Sequence, residues 1–537
     1  MSHLSHIGEL ELRFRLDRGA QARLARSGIT AENATSKSMF WSAYFDTADG
    51  DLAASGFSLR LRRTDAGYLQ TVKADTAIAF ERFEWEQAVP RGEPLLDALP
   101  PIDTAAGALI RKHFDRLEAI FTTQFERTCW RRQIGRALRV EIAADRGEIA
   151  AGDPVVPVAE IEIERLAGDR ASFHRWVCAF ARRCALSLSV ASKSERGLRL
   201  IGRLPAVPTP VKAVLPILRG EATVAQAAAL AVRSCLAHLI ANLEPVMMGS
   251  DPGGPHQLRI ALRRLRAAIR FFHLAESNRR WNSISASARR LAEIAGRVRD
   301  SDVFEAGLLA SLMTALPDDA ALERLAAGLA RERERQRVAM RAALADLALT
   351  RLVLSTAYLA ESLMASRGTA QAAGKISPEV TGDRSEGPAL LKEFAPIRIR
   401  ELREKLGKRI RKADDWSSWH RARIAAKNLR YALEFVGSAL PRAKRTRHAV
   451  EHLSALQELL GAQQDRATSL EVARRCSAHD ANIEPGRQDR ALTLIEGWNA
   501  GATADPKQLR RAARSVMARV ERALGNLHHA SPAVQTG

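Results

Sequence analysis

Charged and apolar residues alternate along several short segments of residues 1–203, and this alternation constrains the fold more than any other feature of the chain. In GELELRF, the residues Glu9, Glu11 and Arg13 fall on one side of an extended chain, with leucine and phenylalanine on the other. Taken alone, such a strand is half-exposed with its charged face in water. The pattern recurs, however, in SLRLR, RFEWEQAV, LRVEIAAD and VAEIEIERL. We therefore expect the charged faces to line a common interior.

The charges on these faces suggest what the interior would hold. Glu160, Glu162 and Glu164 share one face of a strand, where like charges repel one another. A divalent cation relieves that repulsion, and Mg²⁺ or Mn²⁺ prefers carboxylate oxygens. Arginine and lysine on the same surface can hold phosphate oxygens. The residues thus predict a closed sheet with a charged interior and an apolar exterior covered by helices, suited to a short polyanion. Glu164 either joins this interior or reaches solvent.

The chain divides into two parts by composition. Residues 1–203 hold 30 basic and 27 acidic residues, a net charge of +3 out of +21, so residues 204–537 carry +18. Helices near 17–27, 104–117 and 169–185 would make the first part α+β. The prolines of RLPAVPTPVKAVLP predict a linker at 204–216. Alanine, leucine and arginine at helical spacing predict an all-α region at 217–525, with a polar internal loop at about 366–390.

The all-α region contains two related halves. HQLRIALRRLR begins at His256 and HRARIAAKNLR at His420, and six of the eleven positions are identical. LAEIAGRVRD ends at Asp300 and LQELLGAQQD at Asp465, so the His-to-Asp separations are 44 and 45. Two matched segments at nearly equal separation indicate an internal duplication and a pseudo-symmetric helical bundle.

Each half carries a stripe of cations at helical spacing without an interposed acid. The basic stripe, as we call it, comprises His256, Arg259, Arg263 and Arg266 in the first half and His420, Arg423, Lys427 and Arg430 in the second. A solvated helix face is the simpler alternative, but its repetition favours an anion site. Residues 204–537 hold only 11 aromatic residues, whereas single-stranded nucleic-acid sites usually add stacking platforms. This favours inorganic polyphosphate over RNA or DNA. Histidines facing phosphate would have raised pKa values, which would tighten binding at mildly acidic pH.

The first part resembles the CYTH, or triphosphate tunnel metalloenzyme, family in ELELRF, YFDT, SLRLRR, LQTVK, RFEWE, VEIAADRGEI, AEIEIE and SKSERG. The family's Glu-x-Glu-x-Lys motif is present as Glu9, Glu11 and Arg13. The resemblance implies an eight-stranded antiparallel β-barrel that hydrolyses a triphosphate with Mg²⁺ or Mn²⁺. It implies metal ligands and phosphate-binding residues by position. The implied metal ligands are Glu9, Glu11, Glu160 and Glu162, with Glu141 and Asp145 as weaker candidates; the implied phosphate ligands are Arg13, Arg60, Arg62, Lys73, Arg82, Arg127 and Lys193.

The second part resembles the CHAD domain in HQLRIALRRLRAAIRFF, GRVRDSDVF, HRARIAAKNLRYALEF and LQELLGAQQD. That family binds inorganic polyphosphate and often follows a CYTH domain. The resemblance implies that the basic stripe is the polyphosphate site. We therefore interpret the chain as a metal-dependent triphosphatase acting on tripolyphosphate, tethered to polyphosphate by its helical part. Two alternatives remain: a granule-associated polyphosphate-binding protein with an inactive tunnel, and a nucleic-acid binder.

The remaining sequence features concern the compartment. Five cysteines without a CxxC pair or a regular framework suit a reducing environment. MSHLSHIGEL has no apolar h-region, and no uninterrupted apolar stretch of about 18 residues is present. We therefore expect a cytoplasmic protein without a membrane span, associated with polyphosphate granules where these occur.

Overall fold

The computed structural model describes residues 5–30, 34–76, 78–218, 221–365, 389–440, 443–477, 490–501 and 506–525. The chain forms two compact units. The first contains residues 1–211, 240–251 and 344–361, and the second contains residues 212–239, 252–343 and 362–537. Most of the predicted polar loop at 366–390 lies outside the described residues.

The first unit is built on a closed, antiparallel barrel of eight strands, as predicted. Their order around the barrel is β1-β5-β4-β3-β2-β6-β7-β8. The strands are β1 (Ser5–Arg15), β2 (Ser36–Thr47), β3 (Phe57–Thr64), β4 (Gly67–Asp75), β5 (Glu81–Val89), β6 (Leu117–Ile134), β7 (Leu138–Ala150) and β8 (Val155–Ala167). Closure leaves the sheet without edge strands and fixes which face of every strand points inward.

Helices of the same unit connect and flank these strands, including helices at the three predicted interruptions. They are α1 (Arg18–Ala25), α2 (Asp51–Ala54), α3 (Ala105–Lys112), α4 (Arg170–Cys184) and α5 (Lys193–Leu200). Short 3₁₀ turns occur at Leu96–Ala98 and Phe114–Arg116. Thr104 and Asp169 cap α3 and α4 by accepting a backbone N–H from the residue three positions on.

The second region is all-α, as the helical spacing predicts. Its helices are α6 (Val224–Ala241), α7 (Leu243–Met248), α8 (Gly253–Phe271), α9 (Leu274–Ser277), α10 (Arg280–Phe304), α11 (Ala310–Ala315), α12 (Ala320–Ala345), α13 (Leu347–Ala365), α14 (Leu391–Arg411), α15 (Trp416–Val436), α16 (Ala443–Leu459), α17 (Gly461–Ser477), α18 (Arg490–Gly501) and α19 (Pro506–Leu524). A π-helical turn at Glu305–Leu309 follows α10, and a 3₁₀ turn at Gly437–Ala439 follows α15. Within the second unit, α8 packs against both α10 and α15.

Most of α13 belongs to the barrel unit, although it follows α12 directly in the chain. Leu354 is buried in the core between the barrel and α4, and the Thr350 hydroxyl accepts a hydrogen bond from the Leu188 N–H at 3.0 Å. Glu361 accepts a hydrogen bond from Arg170 Nε of α4 at 3.1 Å. This helix therefore completes the covering of the barrel.

Two helical stretches, Val224–Met248 and Leu347–Ala365, have the length and apolar composition of a membrane span. In the most apolar 18 residues of each stretch, 56% and 61% respectively are buried inside the protein, as in the core helix of a soluble protein. No membrane is indicated. All five cysteines are free, which agrees with the lack of a disulfide framework in the sequence.

Candidate active site

The outer surface of the barrel is apolar and its interior is charged. On β1, Leu10 and Phe14 are fully buried in the core beneath the covering helices. Glu9, Glu11 and Arg13 alternate with them and line a cavity of about 840 Å³ inside the barrel. The charged faces predicted from sequence thus share a lumen.

Carboxylates of β1 and β8 crowd together along this cavity. Strand pairing places Glu11 opposite Glu164. Burial raises the pKa of Glu11, and the charges of Glu162 and Glu9 raise it further. Burial, followed by the charges of Glu9, Glu11 and Glu141, raises the pKa of Glu164 to about 8. Glu164 lines the cavity, so it joins the interior. We call Glu9, Glu11 and Glu164 the β1–β8 carboxylates.

One lysine partly neutralises this side of the lumen. Lys73 Nζ lies 2.9 Å from Glu9 Oε2 and 3.0 Å from Glu84 Oε1. Burial alone would lower the pKa of Lys73, but Glu9 and Glu84 hold it above its usual value. The pKa of Glu9 nevertheless remains raised, because its burial outweighs the attraction of Lys73.

Helix α5 brings a second lysine into the barrel. Ser192 and Glu195 form a capping box in which the Ser192 hydroxyl accepts the Glu195 N–H at 3.1 Å and the Glu195 carboxylate accepts the Ser192 N–H at 2.7 Å. The helix therefore begins at Lys193. Gly197 permits the close approach of α5 to the barrel, because a Cβ there would stand 2.3 Å from the ring of Phe121.

Lys193 lies among three carboxylates. Its Nζ is 2.7 Å from Asp145 Oδ2 and 2.8 Å from Glu162 Oε1, and it also bonds Glu160. Arg127 bonds both oxygens of Asp145, at 2.7 and 2.6 Å, and contacts Glu162 as well. Burial would raise the pKa of Glu162, but Lys193 and Arg127 hold it well below its usual value. We call these five residues the Lys193 cluster.

The arginines of β3 have fewer carboxylate partners than Arg127 of the Lys193 cluster. Arg60 Nη2 donates to the Thr71 hydroxyl at 3.1 Å and lies 3.5 Å from a Glu86 oxygen. Arg62 makes no ion pair with the described residues, and its guanidinium lies 4.7 Å from the centre of the Phe40 ring. Burial, followed by the charges of Arg60 and Arg127, lowers the pKa of Arg62 to about 10. This side of the lumen therefore favours an anion.

Arg13 and Arg82 complete the set of predicted cations. Arg13 Nη2 donates to the Val190 carbonyl at 2.9 Å, and its Nε lies 3.6 Å from Glu11 Oε1. The longer, forked side chain of arginine thus ties β1 to the segment before α5, which a lysine ammonium does less readily. Arg82 Nε pairs with Asp75 at 3.1 Å.

Two groups of carboxylates suit a divalent cation by their chemistry. The ligand oxygens of the Lys193 cluster's three carboxylates all lie within 4.8 Å of one another, so they could hold a metal ion. There the lysine ammonium already neutralises much of their charge. The β1–β8 carboxylates have raised pKa values, so a further positive charge is needed to keep all three ionised together. Mg²⁺ and Mn²⁺ are hard cations that prefer oxygen ligands, so these carboxylates fit either ion.

The structure brings nearly all of the barrel residues singled out in the sequence to one cavity. Those that line it are Glu9, Glu11, Arg13, Arg60, Arg62, Lys73, Arg82, Arg127, Glu162 and Lys193. Glu160 is almost wholly buried and bonds Lys193. Their individual roles toward substrate or metal remain predictions. Glu84, which bonds Lys73, and Thr71, which bonds Arg60, also belong to the site.

The two halves of the basic stripe lie on α8 and α15. Lys427 is half-buried, and its pKa is lowered to about 6 by burial and by the charges of Arg263, Arg423, Arg259 and Arg430. These five cations therefore converge. In Arg263, burial and the neighbouring arginines likewise lower the guanidinium pKa.

The remaining members of the stripe differ in their surroundings. Arg299 of α10, which sequence reasoning missed, donates from Nε to His256 Nδ1 at 3.2 Å. Burial, followed by the charges of Arg299 and Arg259, lowers the pKa of His256 to about 4. The pKa of Arg266 is lowered by burial and by the charge of Arg289 of α10. His420 lies in the second turn of α15.

Comparisons with known proteins cover both parts of the chain. The model of the CYTH domain matches residues 8–197, and that of the CHAD domain matches residues 230–474. A protein of Haemophilus influenzae named inorganic triphosphatase is 28% identical over 163 residues, which make up 29% of this chain and 44% of that protein. The chain thus spans less than half the length of this curated relative.

Solved structures match each part separately. The CHAD domain of the plant Ricinus communis is 28% identical, and the match covers 58% of this chain and 96% of that one with a TM-score of 0.47. A Hippeastrum protein, described as an adenylyl cyclase candidate with a dominant triphosphatase activity, is 20% identical. That match covers 36% of this chain and 95% of the other with a TM-score of 0.27.

Proposed function

The chain is a CYTH domain followed by a CHAD domain, and on this premise we propose that it is a metal-dependent inorganic triphosphatase joined to a polyphosphate-binding helical unit. The observation that carries the proposal is the closed lumen in which crowded carboxylates meet arginines, one of them without an ion pair to the described residues. The Haemophilus influenzae relative named inorganic triphosphatase supports the reaction class. The substrate would be tripolyphosphate.

The chain's own residues suit the binding of a short phosphate chain. Arg60 and Arg62 would bind phosphate oxygens on the cationic side, and the closed barrel would limit access of bulk water. The predicted metal ligands Glu9, Glu11, Glu160 and Glu162 would hold Mg²⁺ or Mn²⁺, with Glu164 opposite Glu11 as a further candidate. A bound divalent cation there would offset phosphate charge and lower the pKa of a bound water. Arg127 and Lys193 would hold the acids of their cluster in place, since their donors are largely engaged with carboxylates.

The enzymatic proposal is tested by phosphate release from tripolyphosphate, ATP and RNA, with and without Mg²⁺. We expect Mg²⁺-dependent release from tripolyphosphate, and a loss of about 100-fold or more in Glu11→Gln. Glu148→Gln, at an exposed position of β7, is the matched control and should keep wild-type turnover. Equal turnover in Glu11→Gln and wild type would refute the assignment.

The rival of an inactive tunnel predicts a different result. Tripolyphosphate would bind to the wild-type chain without release of phosphate. Because Arg13 stands where the family motif has lysine, Arg13→Lys would then be the variant that restores turnover. Measured turnover by the wild type would exclude this alternative.

The basic stripe is the proposed polyphosphate site, and its function would be to keep the barrel near a polymer of phosphates. We expect long polyphosphate to compete more strongly than RNA, and its affinity to fall steeply with salt because bound counterions are released. A salt-insensitive complex would overturn this mechanism. We further propose that the protein acts in the cytoplasm at polyphosphate granules, which fluorescence microscopy of the tagged chain would test.

A further inference from the structure

Two glycines of the second unit occupy matching places in the duplicated halves. Gly296 lies in the interior of α10, and Gly461 is the first residue of α17. They follow Arg259 and Arg423 by 37 and 38 residues, and both arginines hold the fourth position of the matched segments. Glycine inside a helix is less favourable than alanine, so its presence in α10 calls for a local reason.

Beside Gly296, the space that a side chain would take is filled by an arginine of the basic stripe. A Cβ at Gly296 would stand 3.2 Å from Arg259 Cζ and 3.4 Å from its Nη1. The same Nη1 donates to Asp300 Oδ1 at 2.9 Å, about one helical turn further along α10. The guanidinium therefore lies against the helix backbone and is held at its end by a carboxylate.

The second half repeats this contact. A Cβ at Gly461 would stand 3.3 Å from Arg423 Nη2 and 3.7 Å from its Nε. At both glycines, the three nearest atoms belong to the guanidinium of the stripe arginine. Gly197 of the barrel unit differs, because its nearest atoms are the ring carbons of Phe121, at a helix–barrel contact.

We propose that Gly296 and Gly461 are positioning residues of the polyphosphate site, each providing a side-chain-free seat for the arginine that contacts the anion. The inference rests on the proposed function of the basic stripe. A long arginine side chain loses rotamer freedom when it binds, and a seat that fixes it beforehand reduces that loss. Duplication of the seat would give two fixed guanidinium groups on opposite halves of the bundle.

The test uses the full chain and measures polyphosphate affinity together with melting temperature. In Gly296→Ala and Gly461→Ala the added methyl group must displace a guanidinium by a few tenths of an ångström. We expect each to weaken polyphosphate binding by about threefold or more, because charge-assisted contacts to phosphate depend on geometry. The melting temperature should stay unchanged or rise in Gly296→Ala, since alanine favours the helix interior. Gly497→Ala on α18, where a Cβ would meet nothing within 4 Å, is the control and should retain wild-type affinity.

A double variant tests whether the loss of polyphosphate affinity in Gly296→Ala depends on Arg259. With Arg259→Ala already present, Gly296→Ala should produce no further loss of affinity, since no guanidinium remains to be displaced. A further loss would place the action of Gly296 elsewhere and overturn the inference, as would unchanged affinity in both single variants. A drop in melting temperature that accounts for the weaker binding would assign the glycines to packing and also overturn it. Failure of the wild-type chain to bind polyphosphate would instead refute the proposed function, and the inference with it.

Discussion

Glu164→Gln tests whether the lumen is strained by negative charge. Burial and the neighbouring carboxylates raise the pKa of Glu164 from its usual 4.5 to about 8. At about 1.4 kcal/mol for each unit of pKa, this difference is of the order of 3–5 kcal/mol. This is the free-energy cost of ionising Glu164 in the folded chain relative to the unfolded chain.

The sign of the pH dependence follows from the raised pKa. The folded state keeps the proton of Glu164 until about pH 8, whereas the unfolded state releases it near its usual pKa. The contribution of this group to stability is therefore fully present below the unfolded pKa and is lost as pH rises toward 8. Glutamine does not ionise, so Glu164→Gln should match wild type near pH 4 and exceed it by about 3–5 kcal/mol above about pH 8.5.

Calorimetry of the full chain at several pH values checks this, with Glu148→Gln as the exposed control. Above about pH 8.5 we expect the barrel transition of Glu164→Gln to lie about 5–15 °C above that of wild type. Addition of Mg²⁺ should narrow the difference, because the ion offsets the charge of Glu164 in the wild type and finds no such charge in the variant. Coincident transitions at every pH would refute the charge-crowding argument. Equal stabilisation of both proteins by Mg²⁺ would remove Glu164 from the metal ligands.

Three further predictions concern other parts of the chain. Binding of polyphosphate should be accompanied by proton uptake near pH 7, because Lys427 has a pKa of about 6 in the free protein and a bound anion raises that pKa. Titration calorimetry in buffers of different ionisation enthalpy measures the proton uptake, and Lys427→Met should abolish it. Arg264→Met should destabilise the second unit by about 1–3 kcal/mol in urea unfolding, because it removes the buried ion pair with Glu434 and leaves that carboxylate only the contact with Arg430 at 3.4 Å. Leu354→Ala should lower the stability of the barrel unit by about 2–5 kcal/mol, and a change confined to the other unit's transition would contradict the placement of α13.

The alternating segments made much of the barrel interior predictable. A strand has a side-chain period of two, so the sequence alone places Glu9 and Glu11 on the face opposite Leu10. The S-x-x-E pattern of a capping box likewise indicates where α5 begins and hence where Lys193 stands. Both are local signals, and they needed no knowledge of distant contacts.

Contacts between distant segments could not be read in the same way. Arg13 bonds the Val190 carbonyl, which lies 177 residues away, and a backbone acceptor leaves no trace in the sequence. The composition of α13 predicts that the helix is buried, but it does not predict which element the helix packs against, which is the barrel. The low pKa of His256 depends on Arg299 from a neighbouring helix and on burial, neither of which follows from the spacing along α8.

The barrel lumen and the basic stripe differ in how their charges are balanced, and this difference predicts how each responds to an anion. In the barrel, the Lys193 cluster pairs cations with carboxylates, while excess acid gathers on β1 and β8 and Arg62 lacks an ion pair among the described residues. A divalent cation together with an anion would balance such a lumen. On α8 and α15 the basic stripe carries an excess of positive charge, and burial together with the neighbouring arginines lowers the pKa of Lys427 to about 6. An anion alone relieves that excess, so polyphosphate without metal should stabilise the helical unit, whereas tripolyphosphate without metal should leave the acidic side of the barrel strained.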